Sequence, residues 1–233
     1  VMRCTIDADS LRERRCVSSD EGVALVGCGA PRSDRGVSIK VVRIDDDDEG
    51  KEVLGENCVG EIWVRSPSIA RGYWGVEDPS FGASIDGESG FLRTGDEGVF
   101  RDGELYVCGR RKDLILQRGK NHYPQDLEAT WERAARATFR PGCSAVVPLG
   151  KDRIQIIYEA RKNCPDLADA CSVARNAVQR AHGIAIGKAT VVAQRELIKT
   201  SSGKVARRVR SRRPVVWRRL HAIEATRVHL TMK

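Results

Sequence analysis

The feature that most constrains the fold of this chain is a change of sequence pattern near residue 110. Before this point, short β-rich runs at 23–27, 37–44 and 61–65 are separated by turn-forming residues. After it, short strands alternate with two helical periodicities. This mixture predicts an α+β fold of two units, a β-rich unit over residues 1–110 and a smaller α+β unit over residues 111–233.

The second unit is predicted to contain two amphipathic helices. The first covers residues 124–138, where Pro124 suits the first turn of a helix. The second covers residues 166–182 and stops at Gly183. A short basic helix is expected at 204–213. Strands are predicted at residues 114–117, 145–149, 154–160 and 190–193.

Net charge changes sign at the same place. Residues 1–110 carry 14 Lys or Arg and 22 Asp or Glu, a net charge of −8, whereas the rest carries 26 and 10, a net charge of +16. A basic unit favours an acidic partner, such as nucleic acid, an anionic membrane surface or an acidic protein. The basic stretch at 199–219 contains one aromatic residue, Trp217. Because base stacking requires interleaved aromatics, the sequence disfavours nucleic acid.

Composition excludes several kinds of protein and site. No apolar run approaches the roughly 18 residues of a membrane-spanning helix. The N-terminal residues lack the apolar core of a secretory signal, so we expect a cytoplasmic protein. The eight cysteines form no C-x-x-C pair and the four histidines do not flank them at zinc-finger spacing, so we expect reduced thiols and no metal site. The acidic run at 45–50 lacks the ligand spacing of a calcium loop and is predicted to be a solvated hairpin tip.

A polar segment near the end of the first unit could bind a ligand. Arg93-Thr94-Gly95-Asp96 is predicted to form a turn with Gly95 at a positive φ, followed by a hairpin over 98–108 that turns at Asp102-Gly103. A carboxylate at such a turn can accept hydrogen bonds from vicinal hydroxyls, as on a ribose. Arg110 could supply a charge-assisted donor nearby. Read alone, Asp96 is equally explained as a turn residue.

A second polar segment lies near the end of the chain. The loop Lys199-Thr200-Ser201-Ser202-Gly203 is predicted to be flexible and to deliver Lys204. A mobile ammonium on a long stem is suited to bridging a carboxylate and a phosphate. The loop is not a Walker loop, because the G-x-x-x-x-G spacing is absent. An ordinary surface lysine is the simpler interpretation of Lys204 when the loop is read alone.

In their order and spacing, these segments resemble the adenylate-forming superfamily of acyl-CoA synthetases, luciferases and nonribosomal-peptide adenylation domains. The likeness is in particular to the fatty acyl-AMP ligase branch, and it extends from about residue 23 to residue 213. Asn-His-Tyr-Pro-Gln-Asp at 121–126 separates this branch from ordinary CoA ligases. The other matching motifs are Gly-Glu-Ile-Trp-Val at 60–64, Gly-Tyr-Trp at 72–74, Phe-Leu-Arg-Thr-Gly-Asp at 91–96 and Asp-Gly-Glu-Leu-Tyr-Val with Gly-Arg at 102–110.

The resemblance implies a site shared by two domains. Residues 1–110 would be the β-rich end of the large AMP-binding domain, and residues 111–233 the complete C-terminal lid domain. Asp96 would hold the ribose hydroxyls of ATP or acyl-AMP, and Arg110 would contact the same ribose and phosphate region. Lys112 or Asp113 would be the hinge about which the lid rotates between half-reactions.

The resemblance also implies a reaction. Lys204 would be the catalytic lysine of the first half-reaction, in which a fatty acid carboxylate attacks the α-phosphate of ATP and pyrophosphate leaves. Mg²⁺ would be required by the intact enzyme. The acyl group would then pass to the phosphopantetheine thiol of an acyl carrier protein. A fatty acyl-CoA ligase and a non-catalytic module that docks carrier protein remain alternatives.

The sequence departs from the family pattern in ways that limit these expectations. Ile198 stands where proline is usual, and Arg195 where glycine is common. The phosphate loop, the adenine-site motif and the acyl tunnel of the family lie upstream of anything present, so we expect the chain to be a piece of a longer enzyme and to be inactive alone. Other residues are expected to be structural. Trp63, Tyr73 and Trp74 should pack, His122 should have a structural role rather than act as a general base, and Glu159 should be an exposed strand residue.

Overall fold

The computed structural model describes residues 2–44, 51–117, 119–149, 153–162, 164, 166–200 and 203–206. The chain divides into two compact units, Val1–Leu114 and Ile115–Lys233. Both units combine strands with a small number of helices, which confirms the predicted α+β class. The acidic run predicted to be a hairpin tip, at 45–50, lies outside the described residues.

The first unit is built on a five-stranded antiparallel sheet. Its order is β3-β4-β6-β5 with β7 paired to β6, while β1 and β2 form a separate antiparallel ribbon. The elements are β1 (Arg3–Ile6), α1 (Ala8–Arg12), β2 (Val23–Val26), β3 (Ser38–Val42), β4 (Gly60–Arg65), β5 (Ala83–Ile85), β6 (Glu88–Arg101) and β7 (Glu104–Arg110).

Alternation along β4 places apolar side chains on both faces of this sheet. Trp63 packs with Phe91 and Val42 in one buried cluster, and the adjacent Ile62 packs with Leu105 in another. The packing role predicted for Trp63 is therefore confirmed. Tyr73 and Trp74, in the loop between β4 and β5, are exposed, so the packing predicted for those two is wrong. Their loop lies at the surface. The ring of Tyr73 makes an edge-to-face contact with the ring of Phe81, which belongs to the same loop.

The hairpin between β6 and β7 turns at the two residues predicted from the sequence. Asp102 and Gly103 have φ values of 51° and 74°, the pair of positive values that a type I′ turn requires. Glu56 accepts hydrogen bonds from both backbone N–H groups, at 3.3 and 2.8 Å. The predicted hairpin is confirmed, although β6 begins ten residues before the predicted strand start at 98.

The second unit is a three-stranded sheet covered by two helices. The sheet order is β10-β11-β12, antiparallel in the first pair and parallel in the second, and β8 and β9 form a small hairpin. The elements are β8 (Ile115–Gln117), β9 (Lys120–His122), α2 (Pro124–Ala134), β10 (Phe139–Pro148), β11 (Ile154–Ala160), α3 (Leu167–His182) and β12 (Ile186–Val192).

An aromatic cluster fills the space between the helices and this sheet. The ring centroids of Trp131, Phe139 and Tyr158 lie 5.0–5.3 Å apart. Each ring comes from a different element, so the cluster fixes α2 against β10 and β11. Among the described residues, no helix is long and apolar enough to span a membrane.

The ends of the two helices differ in how well the sequence predicted them. The cap of α3 is as predicted, because Asp166 accepts N–H groups at its start and Gly183 adopts φ 67° at its end. Helix α2 ends at Ala134 rather than Thr138. The chain then leads into β10. The carboxylate of Glu132, in the last turn of the helix, accepts the backbone N–H of Gly142 in β10 at 2.8 Å.

One further prediction in the second unit is wrong, and another is wrong in the part that the structure describes. Glu159 is 1% exposed, because β11 is the central strand of its sheet and both of its faces are covered. The basic helix expected at 204–213 does not begin at Lys204: Gly203 has φ 79° and Val205 forms a β-bridge with Lys199. Residues 207–213 lie outside the described part of the chain. Strand β12 begins at Ile186, four residues before the predicted start.

Candidate functional site

The Thr94-Gly95-Asp96 segment is a bulge inside β6 rather than a turn. Trp63 of β4 pairs with Arg93, and Glu61 pairs with Glu97, so one residue of β4 stands opposite three residues of β6. Gly95 has φ 71°, which confirms the predicted positive φ. A bulge of this kind removes residues from the regular ladder and re-aims the side chain that follows, which here is Asp96.

Glu61 supplies the acceptors that the bulge needs. Its Oε1 accepts the backbone N–H of Gly95 at 3.2 Å. Its Oε2 accepts the indole Nε1–H of Trp63 at 3.2 Å and a guanidinium N–H of Arg93 at 3.4 Å. Glu61 is 6% exposed, so these contacts are shielded from water. Sequence reasoning missed this residue, although it stands in the Gly-Glu-Ile-Trp-Val motif.

Thr94 provides the second support. Its hydroxyl donates to the backbone carbonyl of Ile62 at 2.8 Å and accepts the backbone N–H of Asp96 at 3.1 Å. The hydroxyl thus bridges the two strands at the point where the ladder is interrupted. The backbone N–H groups of Gly95 and Asp96 are therefore both hydrogen-bonded, to Glu61 of β4 and to Thr94 of the bulge. These bonds fix the backbone from which the Asp96 side chain projects.

Asp96 and Arg110, both predicted site residues, are brought together. They are register partners in β6 and β7, and Nε of Arg110 donates to Oδ1 of Asp96 at 2.9 Å. The hydrogen bond to Asp96 raises the pKa of the Arg110 guanidinium. The side chains are 37% and 63% exposed, respectively, so the carboxylate is oriented yet accessible. An oriented, accessible carboxylate can accept hydrogen bonds from a pair of hydroxyls.

The two predicted hinge residues lie in a short 3₁₀ turn, Arg111–Asp113, directly after β7. The two compact units divide one residue further on, after Leu114. Lys112 is exposed. The pKa of Asp78 is lowered, mainly by the hydrogen bond from the backbone N–H of Ser80 and to a smaller degree by the positive charge of Lys112. The position of this turn agrees with a hinge, which remains a prediction.

Lys204 is presented on a tight loop of the second unit. The backbone N–H of Thr200 donates to the carbonyl of Lys204 at 2.7 Å, and the N–H of Gly203 donates back to Thr200 at 2.9 Å. The bridge between Lys199 and Val205 closes the base of the loop. Lys204 is exposed. Backbone hydrogen bonds thus join Thr200 to Gly203 and Lys204, while Ser201 and Ser202 lie outside the described residues.

The segment that leads into this loop is anchored by a buried carboxylate. Oε1 of Glu159 accepts the backbone N–H of Leu197 at 3.2 Å, and Oε2 accepts a guanidinium N–H of Arg140. Leu197 is itself buried against Cys143 and Ile157. Six residues lie between Leu197 and Lys204, so the anchor fixes where the loop leaves the sheet.

His122 and the cysteines are not predicted site residues, although Sγ of Cys143 accepts a hydrogen bond from Nζ of Lys199, in the loop that carries Lys204, at 3.3 Å. His122 is buried in β9 opposite Ile115, which agrees with the structural role expected for it. All eight cysteines are free. In the part of the chain that the structure describes, no group of three or more His, Cys, Asp or Glu side chains could hold a metal ion.

Comparison with known proteins identifies the class. Residues 112–213 match the family described as Disco-interacting protein 2-like, AMP domain. A solved structure from a study of fatty acyl-adenylate ligases of E. coli and L. pneumophila superposes with a TM-score of 0.68 at 26% identity, covering 89% of this chain and 36% of that one. With the Asp96–Arg110 pair and the Lys204 loop, these matches define the class: the chain belongs to the adenylate-forming superfamily.

Its relatives within that class include fatty acyl-AMP ligases. The chain is 38% identical over 159 residues to the medium-chain-fatty-acid–[acyl-carrier-protein] ligase JamA of Moorena producens, which covers 64% of this chain and 27% of JamA. It is 34% identical over 203 residues to the long-chain-fatty-acid–AMP ligase FadD28 of Mycobacterium tuberculosis, which covers 79% of this chain and 33% of FadD28. The chain therefore spans about a third of the length of these relatives.

Proposed function

We propose that this chain is the C-terminal part of a fatty acyl-AMP ligase. The full-length protein that contains it (the intact ligase) would activate a fatty acid with ATP to acyl-adenylate. It would then transfer the acyl group to the phosphopantetheine thiol of an acyl carrier protein. The single observation that carries this proposal is the Asp96–Arg110 pair, an accessible carboxylate held by a guanidinium beside a backbone bulge. The names of JamA and FadD28 support the choice of substrate and acceptor.

Residues of the first unit would bind the nucleotide. In this proposal, residues 1–110 are the end of the large AMP-binding domain. Asp96 accepts hydrogen bonds from the ribose 2′- and 3′-hydroxyls, because a carboxylate offers acceptors without competing donors. Arg110 keeps that carboxylate oriented, and its remaining N–H groups face the ribose and phosphate region.

Residues of the second unit would act on the reacting phosphate. Residues 111–233 are proposed to be the lid, which rotates about Lys112 or Asp113 between the two half-reactions. In the first, a carboxylate oxygen of the fatty acid bonds to the α-phosphorus and the bond to the pyrophosphate oxygen breaks. The ammonium of Lys204 stabilises the negative charge that accumulates on the phosphoryl oxygens in this transition state. The exposure of Lys204 and the backbone hydrogen bonds that join it and Gly203 to Thr200 support this role.

Mg²⁺ is expected for the intact ligase because its family uses ATP. The described residues do not fit a Mg²⁺ site of their own, since they contain no cluster of three suitable ligands and Asp96 is paired with Arg110. Protein-bound Mg²⁺ is held largely by the phosphates and by water in nucleotide sites. We therefore assign no residue of this chain to the metal.

The proposal is tested by ATP–pyrophosphate exchange with a fatty acid. The intact ligase should catalyse exchange, and the purified 233-residue chain should not. Lys204→Ala should lower exchange by about 100-fold or more with unchanged folding, because the side chain is exposed. Lys162→Ala, at another exposed lysine of the same unit, serves as the matched control and should retain exchange. Full exchange by Lys204→Ala would remove the lysine assignment, and robust exchange by the isolated chain would overturn the division of the site.

A non-catalytic docking module is the second candidate. The net charge of +16 on residues 111–233 favours it, since a basic surface steers an acidic partner. This function predicts carrier-protein binding that weakens with salt and survives Lys204→Ala. Acyl transfer from a preformed adenylate to carrier protein or to CoA then distinguishes the proposed acceptor from that of a fatty acyl-CoA ligase.

A further inference from the structure

We propose that Glu61 is a positioning residue for nucleotide binding, which fixes Asp96 through the bulge in β6. The inference deepens the proposed function and rests on it, because it takes Asp96 to be the ribose ligand. Glu61 does not itself reach the exposed surface: it is 6% exposed and lies in β4, on the strand next to Asp96. It therefore acts on the ribose through the backbone of β6.

The contact with Gly95 is the direct link. The bulge takes the N–H of Gly95 out of the ladder, and Oε1 of Glu61 accepts it at 3.2 Å. A half-buried backbone N–H without an acceptor is strongly disfavoured, so removing this oxygen would push the segment towards another backbone arrangement. Asp96 is the next residue, and any rearrangement of Gly95 changes the direction of its side chain.

The chemistry of the cluster requires a carboxylate at position 61. Every described group that faces its two oxygens is an N–H donor: Gly95 on Oε1, Trp63 and Arg93 on Oε2. A glutamine offers one acceptor oxygen and one NH₂ group, and the NH₂ group would meet a donor on one side or the other. Glutamine at this position therefore keeps the volume but loses at least one of the three hydrogen bonds.

The position of the Glu61 carboxylate is itself fixed. The guanidinium of Arg93 lies 5.3 Å from the ring centroid of Trp63 and also contacts Oε2 at 3.4 Å. Trp63 is 1% exposed, so its ring cannot move without disturbing the core of the sheet. The positive charge of Arg93 compensates the burial of the carboxylate. Oε2 of Glu61 is thus bound by Trp63 and Arg93, while Oε1 accepts the N–H of Gly95 in the bulge.

Glu61→Gln in the intact ligase is the main experiment. The quantity measured is the ratio of kcat/KM for ATP to kcat/KM for 2′-deoxy-ATP in pyrophosphate exchange. If Asp96 binds the ribose, the unaltered ligase should prefer ATP by about 10-fold to 100-fold, the range for a hydrogen bond to a charged group. Glu61→Gln should reduce this preference to about threefold or less, because the carboxylate is no longer aimed at the hydroxyls.

Glu56→Gln is the matched control. Glu56 is also a carboxylate that accepts two N–H groups of a tight backbone segment, at Asp102 and Gly103 in the same sheet. Because Glu56 is exposed, this substitution should lower stability less than Glu61→Gln does, and it should leave the preference for ATP unchanged. A preference that is as high in Glu61→Gln as in Glu56→Gln would overturn the inference. A ligase that exchanges without any preference for ATP, before substitution, would instead overturn the assignment of Asp96.

A second measurement uses the 233-residue chain itself. Amide hydrogen exchange of Gly95 and Asp96 should become faster in Glu61→Gln and stay unchanged in Glu56→Gln. If Glu61→Gln does not fold, Trp63→Phe takes its place, since it keeps a ring in the core and removes one donor to Oε2. Trp63→Phe should accelerate exchange at Gly95 and lower the preference for ATP. Unchanged values of both quantities would contradict the inference.

Discussion

Glu159, near the end of the central strand β11, accepts the backbone N–H of Leu197 at 3.2 Å across 38 residues of sequence. The same carboxylate accepts a hydrogen bond from the guanidinium of Arg140 in β10. The segment that leads to Lys204 is therefore tied to the middle of the sheet rather than only to its own loop. The buried carboxylate of Glu159 thus stabilises the start of the segment that runs from Leu197 to the exposed Lys204.

Glu159→Gln should consequently affect Lys204 at a distance. We expect the free energy of unfolding of the second unit to fall by about 1–3 kcal/mol, because one of two donors loses a charged acceptor. We also expect slower pyrophosphate exchange in the intact ligase, with little change in the KM for ATP. Thr190→Val is the control, since it removes the 2.8 Å hydrogen bond from Gln155 in the same sheet but leaves the hydrogen bond between Glu159 and Leu197 in place. Equal loss of exchange in both variants would contradict a specific role for the anchor.

Two glycines of β6 should respond differently to alanine. A Cβ on Gly95 would meet no atom within 4 Å, so Gly95→Ala carries only the strain of φ 71°, about 1–2 kcal/mol. A Cβ on Gly98 would lie 2.6 Å from Cδ1 of Ile62 and 2.7 Å from the carbonyl oxygen of Tyr106. Gly98→Ala should therefore be the more destabilising change, by about 3 kcal/mol. Denaturant unfolding of the chain measures both, and the reverse order would show that the backbone of β6 is not as described.

Asp96→Ala should separate stability from binding. The pair with Arg110 is exposed, and exposed ion pairs contribute at most about 1 kcal/mol. We expect the free energy of unfolding of the chain to change by less than this amount, while nucleotide binding by the intact ligase weakens by about tenfold or more. Calorimetric titration with AMP measures the second quantity. Wild-type affinity in this variant would exclude Asp96 from the nucleotide site.

The cysteines should differ widely in their reactivity. Burial raises the pKa of the Cys16 and Cys171 thiols, whereas Cys28 is exposed. The thiolate is the reactive form, so at pH 7.5 we expect iodoacetamide to label Cys28 about tenfold faster or more. Because their pKa is raised, labelling of Cys16 and Cys171 should rise steeply as pH increases above 8. Peptide mass spectrometry after a short pulse tests this, and equal labelling of Cys171 and Cys28 would mean that the buried face of α3 is open to solvent.

The elements that the sequence predicted well are those specified by neighbouring residues. The hairpin at Asp102-Gly103 and the end of α3 at Gly183 each depend on a backbone conformation that one or two residues select. Tertiary contacts decided the rest. The bulge at Gly95 exists because β4 offers the carboxylate of Glu61, and no local pattern around Gly95 reveals that partner. The same reason explains why Glu159 was expected to be exposed: its place in the central strand depends on β12, which follows it by more than twenty residues.

The site residues divide in the same way. Motif order selects Asp96, Arg110 and Lys204 as predicted site residues, and the structure places the first two in contact. The residues that support them, Glu61 and Glu159, could not be chosen from the sequence. A sequence shows the same residue type for a buried glutamate and for a solvated one. Only the positions of the partners across the sheet distinguish the two.

The two-residue turn between β6 and β7 restricts how related sequences can change in length. Successive side chains of a strand point to opposite faces, so one residue added between Asp96 and Arg110 would turn one of the two away from the other. Natural insertions in this hairpin should therefore come in pairs, one in each strand, so that the hairpin grows outward without changing which face carries the acid and the base. A single-residue insertion without a compensating bulge would mark a descendant that has lost the use of this pair.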